Sequence, residues 1–249
     1  MVCQRLQGVR IMHVESESTE HKVRSSFAMS IILGHGVYNL PEAARLTRLR
    51  SSRVREWFTG RSTKQGLKPV FKSDYDSVGG DRAISFLDLI ELFIAGQLRE
   101  HGVSLQSLRK VREQLQKDLG TRHPFCRREV LSDGKKVFTL GLDPQGKREM
   151  IEVLSKQRVF VQILLPFLKR IDYDSATKLA SKWSIADRIV VDPTICLGKP
   201  IVEEVCIRTT ILASAFGANH EDLELVAEWF GVLPLHVQAA VDFERSLVA

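Results

Sequence analysis

Eight basic side chains follow one another closely in the first third of the chain, and their type suits them to contacts with phosphate groups and base edges. They are Arg48, Arg50, Arg53, Arg55, Arg61, Lys64, Lys68 and Lys72. Between residues 41 and 72, nine Lys or Arg stand against two Glu, a local charge of +7 that exceeds the +6 of the whole chain. This density predicts a nucleic-acid contact, with an ordinary solvated helical hairpin as the alternative.

Two short helices separated by a tight turn are expected to position these cations. Asn39 is a good N-cap and Pro41 suits a first turn, so the first helix is expected to begin there. Ser51 or Ser52 is expected to cap the second helix, which Gly60 should end. The apolar face of the second helix is predicted to contain Val54, Trp57 and Phe58. This pattern indicates a helix-turn-helix for the DNA major groove.

The stretch after Gly60 is punctuated by glycine and proline, and it predicts a hairpin wing with a short β-like piece at Pro69–Phe71. Two amphipathic helices follow, the first capped by Ser85 or Asp81 and the second by Ser104. The candidate DNA-binding residues of this region are Arg48, Arg50, Ser52, Arg53 and Arg55, with Arg61 and Lys64 of the wing.

The order helix-turn-helix, wing and two helices resembles a MerR-type winged-helix DNA-binding domain over about residues 36–120. The sequence FLDLIELFIAGQLREHGVSLQSLRKV carries the resemblance, with GVSL at positions 102–105. It implies a double-stranded, pseudo-palindromic operator and therefore a homodimer. MerR-type regulators usually continue into a long dimerisation helix, whereas this helix is expected to stop near Gly120, so a later part must hold a dimer together.

Composition restricts the remaining chemistry of the 249 residues. No run approaches the roughly 20 apolar residues of a membrane span, and the four cysteines lack Cys-x-x-Cys spacing, which favours a cytoplasmic protein without a zinc or disulfide framework. No Gly-rich phosphate loop is present, and no second His follows His220-Glu221 at zincin spacing. We therefore expect no enzyme activity, no cofactor and no metal. Acidic turns at Asp172, Asp174 and Asp187 are expected to be solvated, and His123 with Cys126 to lie in a loop.

The rear of the chain has the opposite charge. From residue 192 to 249, three Lys or Arg stand against nine Asp or Glu, a net −6. The pattern predicts a β-hairpin and three helices, at about 210–216, 221–230 and 235–247. Trp229 and Phe230 of the middle helix are expected in the core, with an interface as the alternative. We divide the chain into an N-terminal extension (1–35, flexible or an edge segment), the winged helix (36–120), a connecting α/β layer with a hairpin at Asp133-Gly134 (121–187) and the rear domain (188–249). The expected fold is mainly α with small β-hairpins.

A second resemblance covers about 60 residues of the rear domain, which is similar to the C-terminal domain of VapB-type antitoxins. It rests on Asp192, Pro193, Gly198, Lys199, Pro200, Ile207, Arg208 and Thr209, followed by Val237, Ala240 and Phe243. Where that family often has a Gly-Thr pair, this chain has Glu204-Val205-Cys206. The Asp-Pro and Gly-Lys-Pro steps are good turn chemistry, and a role in gripping a partner is an equal alternative.

Together the resemblances imply the antitoxin of a type II toxin–antitoxin system, which represses its own operon and neutralises a PIN-like ribonuclease toxin. One alternative is a MerR-like transcriptional regulator whose rear domain senses a small molecule or dimerises. Another is an interaction adaptor whose basic charge is incidental.

Overall fold

A computed structural model describes residues 34–60, 68–77, 82–129 and 166–248. The protein is mixed α/β, with antiparallel sheets. Three sequence predictions lie outside the described residues: the N-terminal extension up to residue 33, most of the wing, and the hairpin at Asp133-Gly134. None of the described helices is long and apolar enough to cross a membrane.

The front half is a set of helices around one buried helix. Its elements are β1 (Tyr38–Asn39), α1 (Leu40–Thr47), α2 (Ser51–Thr59), β2 (Ala83–Ile84), α3 (Phe86–Glu100), α4 (Leu105–Leu119) and a 3-10 turn at Pro124–Cys126. Strand β1 pairs antiparallel with β2, which brings the start of α1 beside the start of α3. Residues 68–77 contain no strand, so the prediction of a β-like piece at Pro69–Phe71 was wrong.

Helix α3 is buried on every side, whereas the sequence pattern predicted a single apolar stripe. Its acidic residues Asp88 and Glu91 are buried together with the expected Leu and Ile side chains. Burial of these carboxylates requires fixed hydrogen-bond partners, and α3 acquires them from the segments packed around it.

The rear half is a sheet covered by helices. Its elements are β3 (Ile171–Tyr173), β4 (Ala180–Ala186), β5 (Ile189–Val191), a 3-10 turn at Cys196–Gly198, β6 (Ile201–Val202), β7 (Ile207–Arg208), α5 (Thr209–Ala218), α6 (Leu223–Phe230) and α7 (Pro234–Ser246). The sheet has five strands in the order β3-β4-β5-β6-β7, with antiparallel neighbours. The expected β-hairpin is thus part of a larger sheet. Strands β3 and β4 of this sheet precede residue 188, where the rear domain was predicted to begin.

The predicted helix ends are mostly confirmed. Asn39, Ser85 and Ser104 each accept a hydrogen bond from a backbone N–H in the first turn of their helix, and Gly60 and Gly120 follow the ends of α2 and α4. The prediction of Ser51 or Ser52 as the N-cap of α2 was wrong. The chain already turns into the helix at residue 51, and the N-cap is Arg50, whose side chain makes no capping bond.

Candidate nucleic-acid interface

The α1–turn–α2 unit is built by local backbone geometry. Arg48 takes a left-handed conformation, with φ 56° and ψ 32°, and ends α1. The backbone N–H of Leu49 donates to the carbonyl of Ala44 at 2.9 Å, while the Leu49 side chain is buried in the turn. Three residues therefore reverse the chain between two helices of eight and nine residues, as the sequence predicted.

The buried face of α2 fixes which side chains remain available for a ligand. Val54, Trp57 and Phe58 are each at most 2% exposed. The opposite side of the unit carries the predicted DNA-binding residues: Arg48, Arg50, Ser52 and Arg55 are exposed and Arg53 is half-buried on the flank. The remaining two candidates, Arg61 and Lys64, lie outside the described residues.

The charge of these arginines is not balanced by an acidic partner within the part of the chain that the structure describes. Among the ion pairs of residues 34–60, 68–77, 82–129 and 166–248, none involves Arg50, Arg53 or Arg55. The guanidinium of Arg48 lies 3.5 Å from the hydroxyl of Ser246, at the end of α7. Exposed cations on one small surface create a positive potential that attracts a polyanion.

The segment after α2 holds that helix against the core. The N–H groups of Val70 and Phe71 both donate to the carbonyl of Trp57, at 2.8 and 3.0 Å. The Phe71 ring packs 5.9 Å from Trp57 and 5.5 Å from Phe58, and the guanidinium of Arg112 lies 5.0 Å above it. Because this aromatic group fixes the apolar face of α2, the orientation of its exposed face is fixed as well.

The Gly-Lys-Pro step joins the two halves of the chain, whereas the Asp-Pro step forms a local turn. The Asp192 carboxylate accepts hydrogen bonds from the N–H and hydroxyl of Thr194, at 2.8 and 2.6 Å. The Lys199 ammonium donates to the carbonyl of Val37 at 2.8 Å and pairs with the Glu42 carboxylate on α1. The contacts of this loop are therefore intramolecular, and a role in gripping a partner stays a prediction.

A buried tyrosine completes this junction. The hydroxyl of Tyr38, a residue with no exposed surface, donates to the carbonyl of Gly198 at 2.7 Å. The N–H of Val37 also donates to the carbonyl of Leu197 at 3.0 Å. Burial, and next the negative charge of Glu42, raise the pKa of Tyr38 well above its usual range. We call these contacts between residues 37–42 and 197–199 the latch.

Other residues of the VapB-like pattern follow the latch in the chain, from Pro200 before β6 to Thr209 at the start of α5. Pro200 is buried and its carbonyl accepts from the N–H of Thr209 at 3.0 Å, while the Thr209 hydroxyl donates to Glu244 at 2.5 Å. Arg208 is half-buried, and its Nε is a buried donor without a partner among the described residues. Thr209 thus joins the start of α5 to the end of α7 and to the segment before β6, and a partner-binding role for Arg208 and Thr209 stays a prediction.

A polar cluster that the sequence did not reveal lies at the start of α3. Asp74 accepts from the hydroxyl of Ser85 at 2.6 Å and lies 3.0 Å from the Nε2 of His123, and the Nδ1 of His123 lies 3.9 Å from Asp88. Burial, and then the charge of Asp74, raise the pKa of Asp88. Burial alone would raise the pKa of Asp74, but the hydrogen bonds from His123 and Ser85 outweigh it and lower that pKa.

Only part of this cluster had a signal in the sequence. The Ser85-x-x-Asp88 spacing is that of a capping box, which forms here as two reciprocal bonds of 3.1 and 3.2 Å. His123 was interpreted as a loop residue, and it is buried against groups 35 and 49 positions earlier in the chain. The cluster fixes the segment after α2 to the start of α3.

Comparison with known proteins shows a distant sequence relative and a similar fold among solved structures. No family model matches the chain. The protein named "Putative antitoxin VapB45" of Mycobacterium tuberculosis (strain ATCC 25618 / H37Rv) is 23% identical over 224 residues, 83% of this chain and 92% of that protein. The crystal structure of Rv2018 from Mycobacterium tuberculosis has a TM-score of 0.64 at 21% identity, covering 82% of this chain and 97% of that one.

These similarities reach well beyond the rear domain. The weak homology to a VapB protein extends over most of the chain and supports an antitoxin-like protein. The solved structure shows a shared fold over a similar length. The MerR-type character of the front half stays a prediction.

Proposed function

We propose that this protein is the antitoxin of a type II toxin–antitoxin system, acting in the cytoplasm. In this proposal it represses its own operon by binding operator DNA as a homodimer, and it neutralises a cognate PIN-like ribonuclease. The observation that carries the proposal is the largely exposed arginine surface of α1 and α2, which forms no ion pair with the described residues, on a chain homologous to a VapB protein over most of its length.

Each group of cations has a distinct task in the proposal. The DNA is contacted from α2 and the turn before it, by Arg48, Arg50, Arg53 and Arg55, and the polar residue Ser52 also faces outward there. Arg61 and Lys64 contribute phosphate contacts from the wing. Because phosphate contacts release counterions, the logarithm of the affinity falls by about 0.9 per neutralised phosphate for each unit of log salt concentration.

The test is a gel shift on the promoter upstream of the gene. The double variant Arg53→Ala/Arg55→Ala is expected to lose specific retention at low salt. If both arginines contact phosphates, the residual binding of this variant should depend less on salt than wild-type binding does. The slope of log affinity against log salt concentration should then be smaller in magnitude by about 1.8. The matched control is Lys169→Ala/Arg170→Ala, which removes the same charge from two exposed positions of the rear half. Unchanged retention by the first variant would refute DNA contact by α2.

A further inference from the structure

Three large apolar side chains stand exposed at the corner between α6 and α7. Trp229, Leu233 and Leu235 are 62%, 57% and 42% exposed, and we call them the apolar corner. The prediction that Trp229 lies in the core was wrong: α6 packs inward through Val226 and Ala227, and Trp229 falls on another side of the helix. Contiguous exposed apolar surface marks interaction sites, and tryptophan is enriched among the residues that dominate binding energies.

The backbone holds this corner in one conformation. Gly231 ends α6 in the left-handed region at φ 63°, and the N–H of Val232 donates to the carbonyl of Ala227 at 2.9 Å. The N–H of Leu233 donates to the Nδ1 of His236, which is buried beneath the corner, at 3.3 Å. A partner would therefore meet a preformed surface and lose little conformational entropy on binding it.

Four acidic side chains, which we call the acidic rim, lie just before α6 and along it. The exposed carboxylates are Glu221, Asp222, Glu224 and Glu228. Within the described parts of the chain, only Glu221 of this group forms an ion pair, with Arg245 at 3.1 Å. Like charges discourage the corner from pairing with its own copy across a two-fold axis, since both partners would present the same negative rim.

We propose that the apolar corner and its acidic rim are the docking surface for the ribonuclease partner, and that they bind its basic, RNA-contacting face. This inference rests on the proposed function. A ribonuclease must attract a polyanionic substrate, so its substrate face carries positive potential. The carboxylates of α6 complement that face, while Trp229 supplies the buried anchor and RNA is excluded.

The first experiment measures binding of the full chain to the purified product of the adjacent open reading frame by biolayer interferometry. Trp229→Ala and Leu233→Ser are each expected to weaken the complex, the former by about 30-fold or more. Ile211→Ser is the matched control, because Ile211 is also a large exposed apolar residue, at 43%, and lies on α5. Gel shifts with the same variants are expected to match the wild type and so exclude misfolding.

The second experiment tests the choice of face. Glu224→Gln/Glu228→Gln is expected to slow association and make the rate less dependent on salt, and a short single-stranded RNA is expected to compete with the wild-type complex. If the wild type binds the partner and the affinities of Trp229→Ala and Leu233→Ser differ from it by less than threefold, the inference is overturned and the proposed function stays intact. Absence of any wild-type complex would overturn both. A change of oligomeric state in Trp229→Ala, with partner binding unchanged, would make the corner a contact between copies.

Discussion

Removal of the Tyr38 hydroxyl tests the latch most directly. In Tyr38→Phe, the buried carbonyl of Gly198 loses the donor that now lies 2.7 Å away. Leaving a buried acceptor without that partner costs about 1–3 kcal/mol of the free energy of unfolding.

Gly198→Ala perturbs the same contact from the other side. A Cβ at Gly198 would lie 2.1 Å from the Tyr38 hydroxyl, too close for both to remain, and φ at this position is +79°. The left-handed backbone costs on the order of 1–3 kcal/mol with an alanine side chain. The displaced phenol also loses its hydrogen bond, so the variant should lose on the order of 4 kcal/mol.

The double variant Tyr38→Phe/Gly198→Ala distinguishes these contributions. Because the same hydrogen bond cannot be lost twice, the double variant should be less destabilised than the sum of the single variants by about 1–3 kcal/mol. Without the hydroxyl, the nearest ring carbon would lie 3.0 Å from the new Cβ, which small shifts can relieve. The assay is equilibrium unfolding in urea followed by circular dichroism, on the wild type and the three variants.

Gly217→Ala is the control for the glycine substitution. Gly217 lies in α5 with open space around its Cβ position, so alanine there should be neutral or slightly stabilising. Additivity of Tyr38→Phe and Gly198→Ala within about 0.5 kcal/mol would refute the contact between the two residues and with it the latch.

Two further predictions concern buried charges. Arg112→Met should cost about 3–5 kcal/mol, because the fully buried Glu91 would lose the Arg112 Nε that donates to it at 2.7 Å; a urea-unfolding loss below about 1 kcal/mol would contradict this. Burial alone would lower the pKa of His123, but its hydrogen bond to Asp74 and the charges around it raise the pKa. The stability from protonated His123 is therefore complete below the unfolded pKa of about 6.5 and lost as pH rises through the higher folded pKa. Between pH 6 and pH 9, the free energy of unfolding measured in urea should fall less for His123→Gln than for the wild type. Equal decreases would refute a stabilising role for protonated His123.

The helix pair is the part of the candidate site that the sequence predicted best. Asn39 acts on a backbone N–H three residues later, and Val54, Trp57 and Phe58 share a face because of the helical repeat. These relations extend over a few positions, so the residue types contain them. Arg50 shows the limit: the helix begins at Ser51, so the N-cap position falls on Arg50, one residue before the serines that would have been better caps.

The sequence predicted a β-hairpin in the rear domain, but the five-stranded pairing and the latch could not be predicted in the same way. Strands β6 and β7 have two residues each, too few for a period-two pattern, and the pairing of β3 with β4 depends on neighbours that only the folded sheet supplies. Trp229 was predicted to lie in the core because large aromatic residues usually do. In the structure, α6 buries the face that carries Val226 and Ala227, and Trp229 lies outside that face.

Residue types alone fix the short-range features of this protein: most of its helix caps, its apolar helix faces, and the separation of a basic front from an acidic rear. The tertiary structure alone decided which distant groups meet, because contact between them depends on the packing of whole elements. Tyr38 reaches Gly198 across 160 positions, and His123 reaches Asp74 across 49. A hydrogen bond between such residues depends on every intervening turn, so no local pattern of residue types encodes it.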